Sequence, residues 1–284
     1  MTLFIYPQDI FDRLAVDETF AKEALHVLMS GKHTVTLFDS LALTEGTSRR
    51  LFKAVTPHAG ARDAVYRGWM LTVEEYSLLE ETLRDNDITM KTSAKQYEKA
   101  HHLPGWYADF EALTPKTYLW NLFGDESLED FCSELPEQAY VVKDYVKSRK
   151  HEWDTACFAP SVEALPAVVN EFVRLQTEDD SFVGEVVVRE FERFNGAAGE
   201  ARVWWVDGEF VVSLPHPDNP DQLPAIDKDF LETVQVSVKK LGCPFVVTDI
   251  TSTVDGGWRV IEVGDAQVSG LPKGFTGHSL WQAL

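Results

Sequence analysis

The chain has 284 residues, 44% hydrophobic and 12% aromatic, which provides a substantial core and suggests two or three subdomains. Lys and Arg number 26 against 46 Asp and Glu, a formal charge of −20 that opposes nonspecific attachment to nucleic acid or anionic lipid. No apolar run approaches the roughly 18 residues of a membrane span. MTLFIYPQDIFDRL has neither the basic start nor the cleavage site of a signal peptide, and Cys132, Cys157 and Cys243 lack C-x-x-C spacing, so no disulfide framework or zinc site is indicated and a reducing cytoplasm is expected.

In chain order, TLFIYP is a strand with a proline stop. VDETFAKEALHVLMSGK has helical spacing, with Asp17 placed to cap it and Gly31 to close it. Strands follow at Thr34 to Asp39 and Ala64 to Met70, then a helix from about Val73 to Asp85 and a short strand near Ile88 to Lys91. This β-α-β-β-α-β order predicts an α/β sheet with parallel connections. Residues 93 to 136 lead through a helix and linker into TYLWNLF. Beyond 137 the pattern becomes α+β: strand AYVVKDYV, helix SVEALPAVVNEFVRLQ, strands EVVVREFERF and ARVWWVDGEFVV, helix KDFLETVQVSVKKLG, and strands FVVTDITST and WRVIEVG. Asp207-Gly208 and Asp255-Gly256-Gly257 read as hairpin turns.

Two clusters of charge interrupt this pattern. KDYVKSRKH, Lys143 to His151, holds four of the 26 basic residues. Lys143 follows an apolar strand run and Lys147 leads into a loop, an arrangement that can neutralise and cover nucleotide phosphates; alone it could equally be a solvated face. About a hundred residues later Asp249 follows PFVV, Glu262 ends WRVI across the Asp255 turn, and Asp265 lies just beyond. Hard oxygen donors at the ends of adjacent strands suit magnesium, although acids at strand ends are also common on a solvated sheet edge.

The ordered set AYVVKDYVKS, VVVREFERF, ARVWWVDGEFV and VVTDITSTVDGGWRVIEVGDAQVSGLP resembles the ATP-grasp superfamily, in particular the RimK-like ligases and a bacterial and phage group of predicted amide ligases. The resemblance implies two α+β subdomains clasping a nucleotide (residues 116–185 as lid, 186–284 with the metal site) behind a small α/β domain at 1–115. It implies that Lys143 contacts the α and β phosphates with Lys147 nearby, that Glu190 and Phe191 lie on a hinge strand beside adenine, and that Glu192 meets the ribose. Arg202 would steady the transferred phosphate, and Asp249 and Glu262 would hold Mg2+. Where the family has E-x-N, this chain has Glu262-Val263-Gly264-Asp265; Asp265 is expected to swing into the place that Gly264 cannot fill.

The implied activity is an ATP- and Mg2+-dependent carboxylate–amine ligase that works through an acyl phosphate on a small-molecule or peptide substrate, with no nucleic acid or membrane partner. A small-molecule kinase and an inactive nucleotide-binding module are the alternatives. Arg67 could hold a substrate carboxylate, with Trp69 shaping the pocket, or could be structural. His101 and His102 lie near the site or on the surface.

Overall fold

The computed structural model describes residues 2–52 and 63–284. Three four-stranded sheets organise them. The first contains β1 (Thr2–Pro7), β2 (Thr34–Phe38), β3 (Asp63–Tyr66) and β4 (Thr89–Met90) in the order β2-β1-β3-β4, all parallel. The helix Glu18–Met29 starts where the Asp17 carboxylate accepts from the Thr19 amide, and the helix Val73–Arg84 where Thr72 and Glu75 form a reciprocal capping box. β3 is shorter than its sequence suggests. Arg67 N still donates to Ile5 O, but Gly68 N turns to Gln267 O, drawing the chain out of the sheet and toward the C-terminal segment.

The second sheet holds β5 (Thr117–Trp120), β6 (Tyr140–Lys143), β7 (Phe158–Ala159) and β8 (Val186–Glu190), antiparallel in the order β5-β8-β6-β7. The helix Leu165–Glu178 packs Leu165, Val169 and Phe172 into a core with Tyr140, Val142, Val186 and Val188. Because β8 pairs with both β5 and β6, this sheet runs on to Glu190, past the expected division at 185. β6 stops at Lys143 rather than continuing through Val146. Asp144 folds the chain back, its Oδ1 accepting from the amides of Val146 and Lys147 at 2.7 and 2.6 Å.

The third sheet comprises β9 (Glu200–Val206), β10 (Glu209–Pro215), β11 (Phe245–Ser252) and β12 (Trp258–Asp265) in the antiparallel order β10-β9-β11-β12. The β9–β10 turn needs Asp207 and Gly208 because both adopt positive φ, 50° and 78°. One face buries Val203, Trp205, Val246 and Val263 under the helices Leu103–Phe110 and Lys228–Leu241. On the other, Trp204, Phe245 and Val247 pack against Phe4, Tyr6 and Trp281, which fuses the first and third sheets through a continuous core. Period-two alternation puts Arg202, Asp249 and Glu262 further along this second face.

Candidate active site

Arg202, Asp249 and Glu262 form a row across three neighbouring strands, since Asp249 is in register with Arg202 on β9 and with Glu262 on β12. Register shifts immediately past that row, where Ile250 pairs with Val260 and Ile261 is left over. This bulge re-aims the end of β12. The guanidinium of Arg202 grips Asp249 with two bonds, Nε to Oδ1 at 2.8 Å and Nη2 to Oδ2 at 2.7 Å. From the second sheet Lys143, 7% exposed, reaches across to Glu262 Oε1 at 3.1 Å. Desolvation in the cleft would raise the Glu262 pKa, although 44% of the side chain stays exposed, and the Lys143 ammonium beside it outweighs that and holds it below the usual range. Burial opposes the charge of Arg202, while Asp249 more than restores it and raises its pKa.

Two side chains that the sequence reading did not single out complete the cluster. Glu200 lies on the same face of β9 as Arg202, and burial, with the charges of Asp249 and Glu262, pushes its pKa up to about 8. His216 Nε2 lies 2.9 Å from Arg202 Nη2 and 3.6 Å from Asp249 Oδ2. Two cavities meet here. One, of about 520 Å3, is bounded by Lys143, Lys147, Lys150, Glu200, His216 and Glu262, with Phe194 and Gly196 among its apolar walls. The other, of about 250 Å3, is bounded by His101, Lys147, Arg202, Asp249, Glu262, Gly264 and Asp265.

The structure thus brings together Lys143, Lys147, Arg202, Asp249 and Glu262 around these cavities. It does not gather Asp249, Glu262 and Asp265: the group of carboxylate and imidazole atoms that converges within 4.8 Å is instead Glu200, His216 and Asp249. Asp265 is fully buried, its Oδ1 accepting from Gln267 N at 2.9 Å and Gln267 Nε2 at 3.1 Å, with Oδ2 unpartnered. Alternation along β12 explains this, because Glu262 and Gly264 share one face and Asp265 takes the other. Desolvation raises its pKa to about 7.

The hinge strand also differs in detail. Glu190 accepts from Tyr118 Oη at 3.0 Å, and Phe191 packs edge-on to Phe158 at 4.8 Å. Glu192 pairs with Arg259 at 2.8 Å and borders a separate cavity with Asp255 and Gly257. None of the three lines the cavity that holds Lys143. Arg189 ignores both neighbouring acids and donates to Ile261 O at 2.8 Å and Thr114 Oγ1 at 2.6 Å. Arg67, 1% exposed, is spent on Glu23 and on the carbonyls of Ala266, Gln267 and Ser269, which leaves it no donor for a substrate. Trp69 is half-exposed, against Phe20.

His101 borders the smaller cavity and stacks on Tyr97 at 5.1 Å, and His102 lies against Tyr145. Burial, aided by His102, lowers the His101 pKa to about 4. The unfolded chain therefore binds a proton that the folded one refuses between about pH 4 and 6.5, and stability falls as pH drops through that window. Glu200 and Asp265, whose pKa values are raised, contribute in the opposite sense over the same range, so the His101 part is read by difference. In denaturant titrations from pH 7 to 4.5 the unaltered chain is expected to lose up to about 3 kcal/mol relative to His101→Gln. An unchanged slope in that variant would assign the acid sensitivity elsewhere.

A family model described as an ATP-grasp domain, the third family of its clade, matches residues 134–284, just over half of the chain. The chain belongs to this family. No curated protein matches it. Among solved structures it is similar to a RimK domain protein ATP-grasp from Sphaerobacter thermophilus DSM 20745, with 12% identity, 100% of this chain and 96% of that one covered, and a TM-score of 0.64. It is also similar to the D-cycloserine synthetase DcsG (17% identity, 100% and 99% covered, TM-score 0.62). A third likeness is to the macrocyclase MdnC bound with precursor peptide MdnA from Microcystis aeruginosa MRC (15%, 100% and 98% covered, TM-score 0.59). The fold is that of ATP-grasp proteins, and family membership supports nucleotide and metal binding and ligase-type chemistry. Among the described residues no helix is long and apolar enough to cross a membrane.

Proposed function

We propose that the protein is an ATP- and Mg2+-dependent, ADP-forming carboxylate–amine ligase. The observation that carries this reading is the row Arg202, Asp249 and Glu262 facing Lys143 across the cleft, because each cation there neutralises an acid. A magnesium nucleotide fits by exchange of partners: Asp249 and Glu262 would hold the metal, and the freed Lys143 and Arg202 would bind phosphate oxygens. The metal supplies charge neutralisation to the triphosphate. Arg202 would position the γ-phosphate for a substrate carboxylate, with Lys143 on the α and β phosphates and Lys147 on the covering loop, and an amine then captures the acyl phosphate with release of phosphate; the step needs orientation and electrostatics more than a nucleophilic side chain. Phe194 and Gly196 on the larger cavity wall would take over from Glu190, Phe191 and Glu192 as neighbours of the base and ribose. Structures of fold relatives carry a precursor peptide in one case and minimal precursor, Mg and ADP in another, which favours a peptide or small-molecule acceptor.

Screening carboxylates with amines for ADP and stoichiometric phosphate release tests the reading. ADP with a phosphorylated product would make the protein a kinase, and ATP binding without turnover a nucleotide-binding module. Glu262→Ala and Asp249→Ala are expected to lower kcat at least a hundredfold, with partial recovery at high magnesium, while Asp255→Ala in the distal turn retains activity. Asp265→Ala should cost stability more than turnover. A loss of turnover equal to that of Glu262→Ala would restore Asp265 as a metal ligand.

A further inference from the structure

We propose that Glu200, His216 and Asp249 form a divalent-cation site that prefers manganese to magnesium, and that these residues supply the donors that Gly264 withholds. The inference rests on the metal-nucleotide reading of this cleft. One ligand atom from each of the three lies within 4.8 Å of the others, and they come from three neighbouring strands or their immediate ends. His216 is held opposite Glu200 by its own backbone, His216 N donating to Glu200 O at 2.9 Å. Glu200 and His216 face the larger cavity, Asp249 the smaller.

The group is already organised around a positive charge. Arg202 donates to both oxygens of Asp249 and lies 2.9 Å from the His216 ring nitrogen. A divalent ion entering there takes the same lone pairs and displaces the guanidinium toward the cavity where phosphates would lie, so metal loading and phosphate contact by Arg202 become one exchange. Two carboxylates alone would suit magnesium; an imidazole moves the set away from magnesium toward the first-row transition ions, among which manganese is the one that shares magnesium's preference for carboxylate oxygen. The other ring nitrogen, Nδ1, accepts from the Asp218 amide at 3.2 Å, with the Asp218 carboxylate at 3.9 Å; ligation through Nε2 would move the ring proton to Nδ1 and turn it from that amide toward the carboxylate. Gly264 is not imposed by crowding, since an added Cβ would come no closer than 3.5 Å to Val247. The place of a third ligand on β12 is open, and the compensating donors lie on β9 and just past β10.

Chelator-washed full-length chain, without nucleotide, is titrated with Mn2+ by electron paramagnetic resonance and with Mg2+ by competition. The expected result is one Mn2+ bound about tenfold or more tighter than Mg2+, with pulsed spectra of the unaltered chain showing coupling to an imidazole nitrogen. His216→Gln should abolish the nitrogen coupling and remove the preference, whereas Asp265→Asn should keep both. Absence of nitrogen coupling in the unaltered chain overturns the proposal whatever the variants do, and would make the trio a cradle for Arg202. Turnover of ATP without that coupling would sink the site and leave the ligase reading standing; a nitrogen-coupled Mn2+ in a chain that does not bind ATP would do the reverse.

Discussion

Lys143→Ala is expected to weaken ATP binding ten- to a hundredfold, about 1.5 to 3 kcal/mol, in calorimetric titrations with magnesium present. Lys143 is almost buried, projects from the last residue of β6, and is held only by an acid that the metal would claim. Losing it removes a charge-assisted phosphate contact and strands Glu262 without its counter-charge. Lys150 provides the contrast. It also borders the larger cavity and reaches across it to Asp218, but both side chains of that pair are more than half exposed, so Lys150→Ala should cost no more than about 1 kcal/mol. Equal losses from the two variants would reduce the segment to a diffuse basic patch.

Arg67→Met is expected to be the most destabilising single change of a charged residue described above, by about 3 to 5 kcal/mol, because it leaves the nearly buried Glu23 carboxylate with only the Tyr6 hydroxyl as donor and removes the Arg67 bonds to the carbonyls of Ala266, Gln267 and Ser269. The guanidinium also lies 5.8 and 5.7 Å from the rings of Trp204 and Trp281, which ties it into the core between the first and third sheets. Thermal unfolding should shift by roughly 6 to 15 °C. A variant that melts normally but loses affinity for a carboxylate substrate would return Arg67 to the substrate-binding role.

Apolar periodicity and turn residues made the strands and helices around the site legible, and the charges at strand ends marked Lys143, Asp249 and Glu262, while Arg202 followed only from the family resemblance. What sequence could not show was register. With Asp207-Gly208 as the turn, an unbroken β9–β10 ladder would set Pro215 opposite Glu200. The ladder shifts between Phe210 and Val212, so the position opposite Glu200 falls to His216 and its ring turns onto the face of Arg202 and Asp249. A single extra residue reverses the side on which every later side chain emerges, and no composition or spacing signal reports it. The same alternation explains Asp265: three positions from Glu262, an odd separation on a strand, it emerges on the opposite face. Glu192 lies away from the Lys143 cavity for another reason. β8 ends at Glu190, so counting alternation past it had no strand to act on, and Arg259 was available to capture the acid.

The bulge on β12 also has a mechanical meaning. It leaves Ile261 out of the ladder, and the carbonyl thus freed is the one that Arg189 of β8 takes, while Thr114, the other partner of Arg189, donates to Val260 O at 2.7 Å. Burial that drives the Arg189 pKa down to about 10 marks how dry this contact is. The second and third sheets are therefore tied by Arg189 to the Ile261 carbonyl and, one residue further along β12, by Lys143 to Glu262, with Lys150–Asp218 a further pair; the acids of both lysine pairs are substantially exposed. Arg189 is the fixed point of this seam: its bond to the Ile261 carbonyl uses a group that no ligand of the cleft would claim, whereas the bond one residue on, from Lys143 to Glu262, is the one that a bound metal would replace.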